Sequence, residues 1–210
     1  MSRYQQCGNL VVSRIHSVAS DPKELSPYGR AALAKLRRGV GKEPGTVPEI
    51  WGLTLDGLGD QRGLAAQRRE NAVHVALTQW ALHQQSKQAS MHSSARSFGE
   101  ALRLLALTQK SPDQGLHDTP AYRRMMALAS SRTLPGITTH ARGLISQLRS
   151  TDIGFDYGRW ADDLYWIQVP SRTASVQRQW GRDFYRLRDE DVVDQRDAIK
   201  SPATEENEEA

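Results

Sequence analysis

Arginine and lysine are the residues of this 210-residue chain whose type and spacing point most directly to chemistry, and that chemistry is the holding of phosphate. One group is Lys35, Arg37, Arg38 and Lys42. A second is Arg96, Arg103, Arg123, Arg124, Arg132, Arg142 and Arg149. A guanidinium is planar, always charged, and grips phosphate oxygens in pairs. Arg142 and Arg149 are seven residues apart, so on a helix they stand about 20° from one another, on one flank. Arg178, Arg182 and Arg186 form a further ridge, which could equally be solvated or face another subunit. No run of Asn and Gln accompanies these cations on a recognition helix. The pattern therefore suits backbone tracking rather than the reading of base edges.

The tests for catalysis come out differently. His-Glu-x-x-His, paired cysteines and Gly-x-Ser-x-Gly are all missing. The stretch GVGKEPGTVPEIW, Gly39 to Trp51, looks superficially like a phosphate loop. It lacks the upstream glycine of a Walker A motif, and Glu43 stands where that motif has Ser or Thr. Asp162 and Asp163 are adjacent and diverge by about 100° on a helix. His74 and His83 are nine residues apart, on opposite faces of one helix, so they cannot chelate a common metal from it. His140 has no acidic partner near it in sequence. Cys7 is the single cysteine, which excludes an internal disulfide and a cysteine metal cluster. No catalytic residue, metal or cofactor is assigned, and the chain is read as a non-enzyme. Only carboxylates or histidines gathered from distant parts of the chain could reverse that.

Every apolar pattern that must position these cations has helical period. Leu10, Val11, Ile15 and Val18 mark a first helix. Ser26 caps a second, with Pro27 at its first position and Gly39 as a left-handed stop. A long helix over Arg69 to Gln84 carries Ala72, Val73, Ala76, Leu77 and Trp80 on one face. Val75 and Leu82 lie on its far side, which predicts cover from two sides. Ser86 to Ser94 reads as a mobile polar loop. Ser97 and Glu100 form a capping box that opens a helix with Leu102, Leu105 and Ala106 inside and Arg103 outside. A helix from Thr119-Pro120 follows. Then come the helix of Ile137, Ala141, Leu144, Ile145 and Leu148, one capped by Asp156, and one from near Ser171 with Val176, Trp180, Phe184 and Leu187 inward. At this spacing Trp160, Trp166 and Trp180 read as core in preference to base-stacking groups. The fold class is all-α, with about eight or nine helices in two packed lobes. Residues 1–110 form the N-terminal lobe, 119–188 the C-terminal lobe, and 189–210 an acidic tail read as disordered.

Charge is unevenly spread. Residues 189–210 hold nine acids and two bases. Removing them from 28 bases and 24 acids leaves 26 against 15, a formal charge of +11 on residues 1–188. A body this basic points to a polyanionic partner, most often nucleic acid. No apolar run approaches the roughly 20 residues of a membrane helix. The N-terminus lacks the basic-then-apolar pattern of a secretion signal, so a cytoplasmic protein with no membrane partner is expected.

Two segments carry a family resemblance. One holds Arg-Gly-Leu at Arg142 to Leu144, Leu-Arg-Ser at Leu148 to Ser150, Asp156-Tyr157, and Trp-Gly-Arg-Asp-Phe-Tyr at Trp180 to Tyr185. The other is RAALAKLRRGVGK, Arg30 to Lys42, followed by Pro48-Glu49-Ile50-Trp51. Together they resemble the small subunit (CasB type) of the type I-E CRISPR surveillance complex, Cascade. The resemblance implies a non-catalytic subunit, present in two copies along a backbone of guide-carrying subunits and near the large subunit. Its implied nucleic-acid partners are the guide RNA–target DNA hybrid and the displaced single-stranded DNA, whose R-loop it would stabilise. Glu100 departs from the family, which often has arginine there; one implied phosphate contact is then either missing or moved to Arg96 or Arg103. The alternative reading is a helical protein–protein adaptor with a basic surface.

Overall fold

The computed structural model describes residues 6–59 and 62–186. The acidic tail, Leu187 and Arg188 lie outside the described residues. Nine α-helices form among those described: α1 (Gln6–Val18), α2 (Pro27–Arg38), the single turn α3 (Trp51–Thr54), α4 (Leu64–His83), α5 (Phe98–Gln109), α6 (Pro120–Ser130), α7 (Leu134–Ser150), α8 (Tyr157–Ile167) and α9 (Pro170–Tyr185). No strand forms among the described residues; His92 and Phe155 make an isolated bridge.

The expected caps are in place. The Ser26 side chain accepts from Gly29 N, Ser97 and Glu100 close a reciprocal capping box, and Asp156 accepts from the amides of Gly158 and Arg159. Each satisfies amide donors that the first turn of a helix leaves unpaired. Gly39 corrects an expectation. It is right-handed, at φ −78° and ψ −10°, not a left-handed stop. Contact is what requires glycine here: a Cβ would sit 2.8 Å from Ile50 Cδ1 and 2.9 Å from Thr78 Cγ2. α4 begins five residues earlier than its apolar pattern indicates. Its first turn is solvent-facing apart from Ala66, so it shows no apolar period, while Leu, Ala, Gln and Arg favour the helix intrinsically.

α4 is the central strut, packed on α1, α2, α7 and α8. α5 is enclosed by α6, α7 and α9. The buried apolar side chains form one cluster to which all nine helices contribute. The connector between α5 and α6 is bridged by Gln109. Its Oε1 accepts from Ala121 N at 2.8 Å, and its Nε2 donates to Gln147 at 3.0 Å. Phe98, Phe155, Tyr157, Trp160 and Trp180 build an aromatic floor around α8, with ring centroids 4.2 to 5.7 Å apart. The loop 86–94 is tied at its start and middle. Gln84 donates to the carbonyls of Lys87 and Ala89 and accepts from Met91 N, and Met91 itself is buried.

Candidate nucleic-acid interface

The site is built over α4, between the loop that follows α2 and the start of α7. The chain leaves α2 through Gly39, and Lys42 N donates to Gly39 O at 3.1 Å, which curls the loop. Gly41 takes φ +76°, a conformation that favours glycine. His74 of α4 lies beneath this loop, with Nε2 3.1 Å from Gly39 O. A carbonyl can only accept, so Nε2 carries the proton. The ring is 1% exposed, and burial holds its pKa below the ordinary value of 6.5. A neutral imidazole therefore supports the loop without adding charge.

The opposite wall is α7. Thr133 caps it by accepting from Gly136 N. Pro135, Thr138, Thr139 and Arg142 follow along one side. Between this wall and the loop 40–44 lies a cleft of about 340 Å³ with His74, Val75, Thr78 and Gln79 of α4 along it. Gln79 joins wall to floor, donating to Thr138 O at 3.2 Å and accepting from Trp160 Nε1 at 2.8 Å. The close approach of the two walls is direct: a Cβ on Gly41 would stand 3.8 Å from Arg142 Nη1.

The cleft brings together cations that the sequence placed in two separate groups. Lys42 comes from the first and Arg142 from the second, and both are exposed at its rim. Lys35 and Arg38 are exposed on α2, and Arg37 is half-buried. Arg38 is paired with Glu49 at 2.8 Å. Arg149 lies two turns beyond Arg142 and is half-buried. It donates to Leu82 O at 3.4 Å and Gln85 Oε1 at 3.0 Å, so it also caps the carbonyl end of α4. Arg123, Arg124 and Arg132 are exposed on and just after α6, away from the residues that line the cleft. Arg96 is half-buried, its Nε lacking a partner among the described residues.

Arg103 is a correction. Expected outside, it is 5% exposed and donates to Phe184 O at 3.4 Å. Because α5 is covered by three helices, position 103 has no outward face. Glu100 is 6% exposed and faces Arg186, the residue just after α9, at 3.5 Å. It serves the capping box and an ion pair, not the surface. Lys87, read from sequence only as a residue of the polar loop after α4, pairs with Asp152 at 2.6 Å. His74 does not read from sequence as a support for the loop. Neither position has a motif: His74 is revealed by the loop after α2 lying over α4, and Lys87 by the meeting of the segments after α4 and α7.

Elsewhere the ionisable groups serve structure. Burial pushes Asp163 up to about 7 and Asp162 up to about 6. Asp163 Oδ2 accepts from Trp180 Nε1 at 2.7 Å, and Asp162 Oδ1 accepts from Gly8 N at 3.0 Å. Burial pushes the Cys7 thiol up to about 12 and His83 down to about 3. Among the described residues no group of three or more His, Cys, Asp or Glu side chains is disposed to hold a metal ion. None of the helices described is long and apolar enough to cross a membrane.

Comparison with known proteins gives one consistent answer. Residues 32–185 match the family model of the CRISPR-associated protein Cse2. The crystal structure of CasB from Thermobifida fusca is 32% identical, with a TM-score of 0.73 over 86% of this chain and 98% of that one. Two structures from Thermus thermophilus, a CRISPR-associated protein of the Cse2 family and CasB, share the fold, with TM-scores of 0.62 and 0.60 at 22% and 23% identity. Each alignment covers 88% of this chain and 99% of the other. No match was found among curated proteins.

Proposed function

This chain belongs to the Cse2 family of CRISPR-associated proteins, and from that premise we propose that it is the non-catalytic small subunit of a type I-E effector, Cascade, where it holds nucleic-acid backbone without sequence preference and stabilises the R-loop. The observation that carries this reading is the cleft over α4. Two stretches a hundred residues apart in sequence deliver Lys42 and Arg142 to one rim, and neither side chain has an acidic partner among the described residues. Arg149 continues the line along α7.

The physical role follows from the energetics of strand exchange. An R-loop replaces one duplex by another of about equal stability, so modest contacts to the backbone tip the balance. Those contacts should ignore base identity, because the guide already reads it. Exposed cations on a helix flank and an anchored loop do this, and they leave sequence discrimination to pairing. The partners in this reading are the guide-carrying subunits, the large subunit, a second copy of the chain, the guide–target hybrid and the displaced strand.

The test is R-loop formation by the guide-loaded complex, reconstituted without the chain, with it, and with the K42E/R142E variant. Omission should shorten the lifetime of the R-loop on a matched duplex, and the chain should restore it without cleaving DNA. The variant should assemble normally yet restore little. For isolated single strands its salt slope should be shallower by about 1.4, from roughly 0.7 per phosphate released at each of two positions. A variant that restores the R-loop fully would place the contact elsewhere. Arg149 is left intact because its reversal would also strip the cap from α4.

A further inference from the structure

Of the five tryptophans, four are accounted for by packing. Trp80 and Trp160 are fully buried, Trp180 is 2% exposed, and Trp166 is half-buried under the Arg172 guanidinium, 5.5 Å above its ring. Trp51 is 45% exposed. Its position is nevertheless fixed. The backbone on either side is anchored, since Ile50, Leu53 and Thr54 are buried. The indole Nε1 donates to Gly45 O at 2.9 Å. The one polar atom of the ring is thus engaged within the protein, and what remains exposed is aromatic carbon.

The surroundings are those of a nucleic-acid contact. Trp51 closes the loop whose other end carries Lys42. Glu49, two residues before it, pairs with Arg38, which brings the basic end of α2 beside the same turn. Lys35 lies one turn back on α2, exposed. Gly52, next to Trp51 in sequence, and Gly45, whose carbonyl takes the indole N–H, have nothing beyond their own chain neighbours within 4 Å of a Cβ built on them. Space is open on both. A glycine inside a helix, as Gly52 is in α3, costs stability relative to alanine, and no packing contact of its own explains it.

We propose that Trp51 is a stacking platform for one unpaired nucleobase of a strand whose phosphates are held by the cations of α2 and the loop. Base–aromatic stacking is strong and tolerant of sequence, because every base has a π face. It also requires a base that is not already stacked in a duplex. The platform would therefore favour single strands over double strands, a distinction that phosphate contacts alone make poorly. This inference rests on the nucleic-acid reading above and adds to it a contact that is not electrostatic.

The experiment uses the full chain and two probes of equal length and charge, oligo(dT) and an oligonucleotide in which the bases are replaced by abasic sites. Native protein should bind oligo(dT) about 5- to 150-fold more tightly than the abasic strand. The W51A variant should lose that preference and bind both at the abasic level, W51F should keep most of it, and oligo(dT) should quench the emission of native protein but not of W51F. Equal affinity of W51A and native protein for oligo(dT), with emission unmoved, would overturn the platform while salt-steep binding of both probes left the backbone reading intact. If neither probe binds, the two readings fall together. If W51A instead loses only its place in the guide-loaded complex, Trp51 is a protein contact and the platform is wrong. W51F and the emission of the native protein carry the test should W51A fail to fold.

Discussion

The aromatic floor around α8 and the basic cleft over α4 meet at one side chain, Gln79, which accepts from Trp160 on the floor and donates to Thr138 on the cleft wall. On the floor side Trp160, Tyr157 and Phe155 are fully buried, and Trp160 and Trp180 each place their indole N–H on a partner. On the cleft side Lys42 and Arg142 are exposed and have no acidic partner among the described residues. One region removes apolar surface from water and satisfies its polar atoms. The other keeps charge in water and leaves it unsatisfied. The floor should therefore answer to stability measurements and the cleft to binding measurements, with Gln79 as the only shared polar link among the described contacts.

The largest expected effect breaks the floor. Trp160→Ala removes a fully buried indole packed 4.5 Å from Phe98 and 5.7 Å from Trp180, and it orphans Gln79 Oε1. The expected loss is about 3–5 kcal/mol. Chemical denaturation should show it as a fall in midpoint. The K42E/R142E variant, in the same assay, should lie within about 0.5 kcal/mol of native protein, as surface changes do. A comparable loss in both would mean that the cleft is part of the folding core and that the two regions are not separable.

A smaller effect separates the regions by pH. Asp163 is held up to about 7 from an ordinary 3.8 by burial, against the hydrogen bond from Trp180 and the charge of Arg159, which pull it down. An acid with a raised native pKa binds its proton more tightly when folded. Its favourable contribution is complete below about pH 3.8 and is lost as pH rises through about 7. Asp163→Asn can still accept from Trp180 but has no charge to bury. The variant should be more stable than native protein at pH 8, by on the order of 1–2 kcal/mol, and should show a flatter stability profile between about pH 4 and 7. Oligonucleotide affinity at pH 8 should be unchanged. A profile as steep as the native one would remove Asp163 as the source of the dependence.

The same division explains what was legible in the sequence. Core residues announce themselves, since Ile137, Ala141, Leu144, Ile145 and Leu148 repeat at helical spacing and are all buried as expected. Caps at Ser26, Ser97 and Asp156 were equally readable, because each is a local bond between neighbours in sequence. The cleft was half legible. Lys42 and Arg142 were identifiable as cations, but their meeting depends on how α2, α4 and α7 cross, and no local pattern encodes that. Arg103 shows the converse failure. It sits at an outward helical position by periodicity, yet α5 is wrapped on three sides, so tertiary packing overrides the pattern. Gly39 fails for a related reason: what fixes it is close approach to Ile50 and Thr78, not its own backbone angles.

His74 gives the subtlest test of the comparison, because it is buried as the floor is and yet acts on the cleft. It is 1% exposed, but its Nε2 holds Gly39 O and so sets the loop that carries Lys42. If this is a positioning role, His74→Leu should weaken single-strand binding by about 2- to 5-fold, the equivalent of one lost hydrogen bond spent on ordering the loop. The salt slope should stay at its native value, because the number of phosphates neutralised is unchanged. His74→Gln, whose amide nitrogen reaches where Nε2 stood, should recover most of the affinity. A slope that flattens in His74→Leu would mean that the loop and Lys42 have left the strand altogether. Unchanged affinity would mean that the loop is held by Ile50 and Gly39 packing alone, and that the imidazole is buried as the floor is without acting on the cleft.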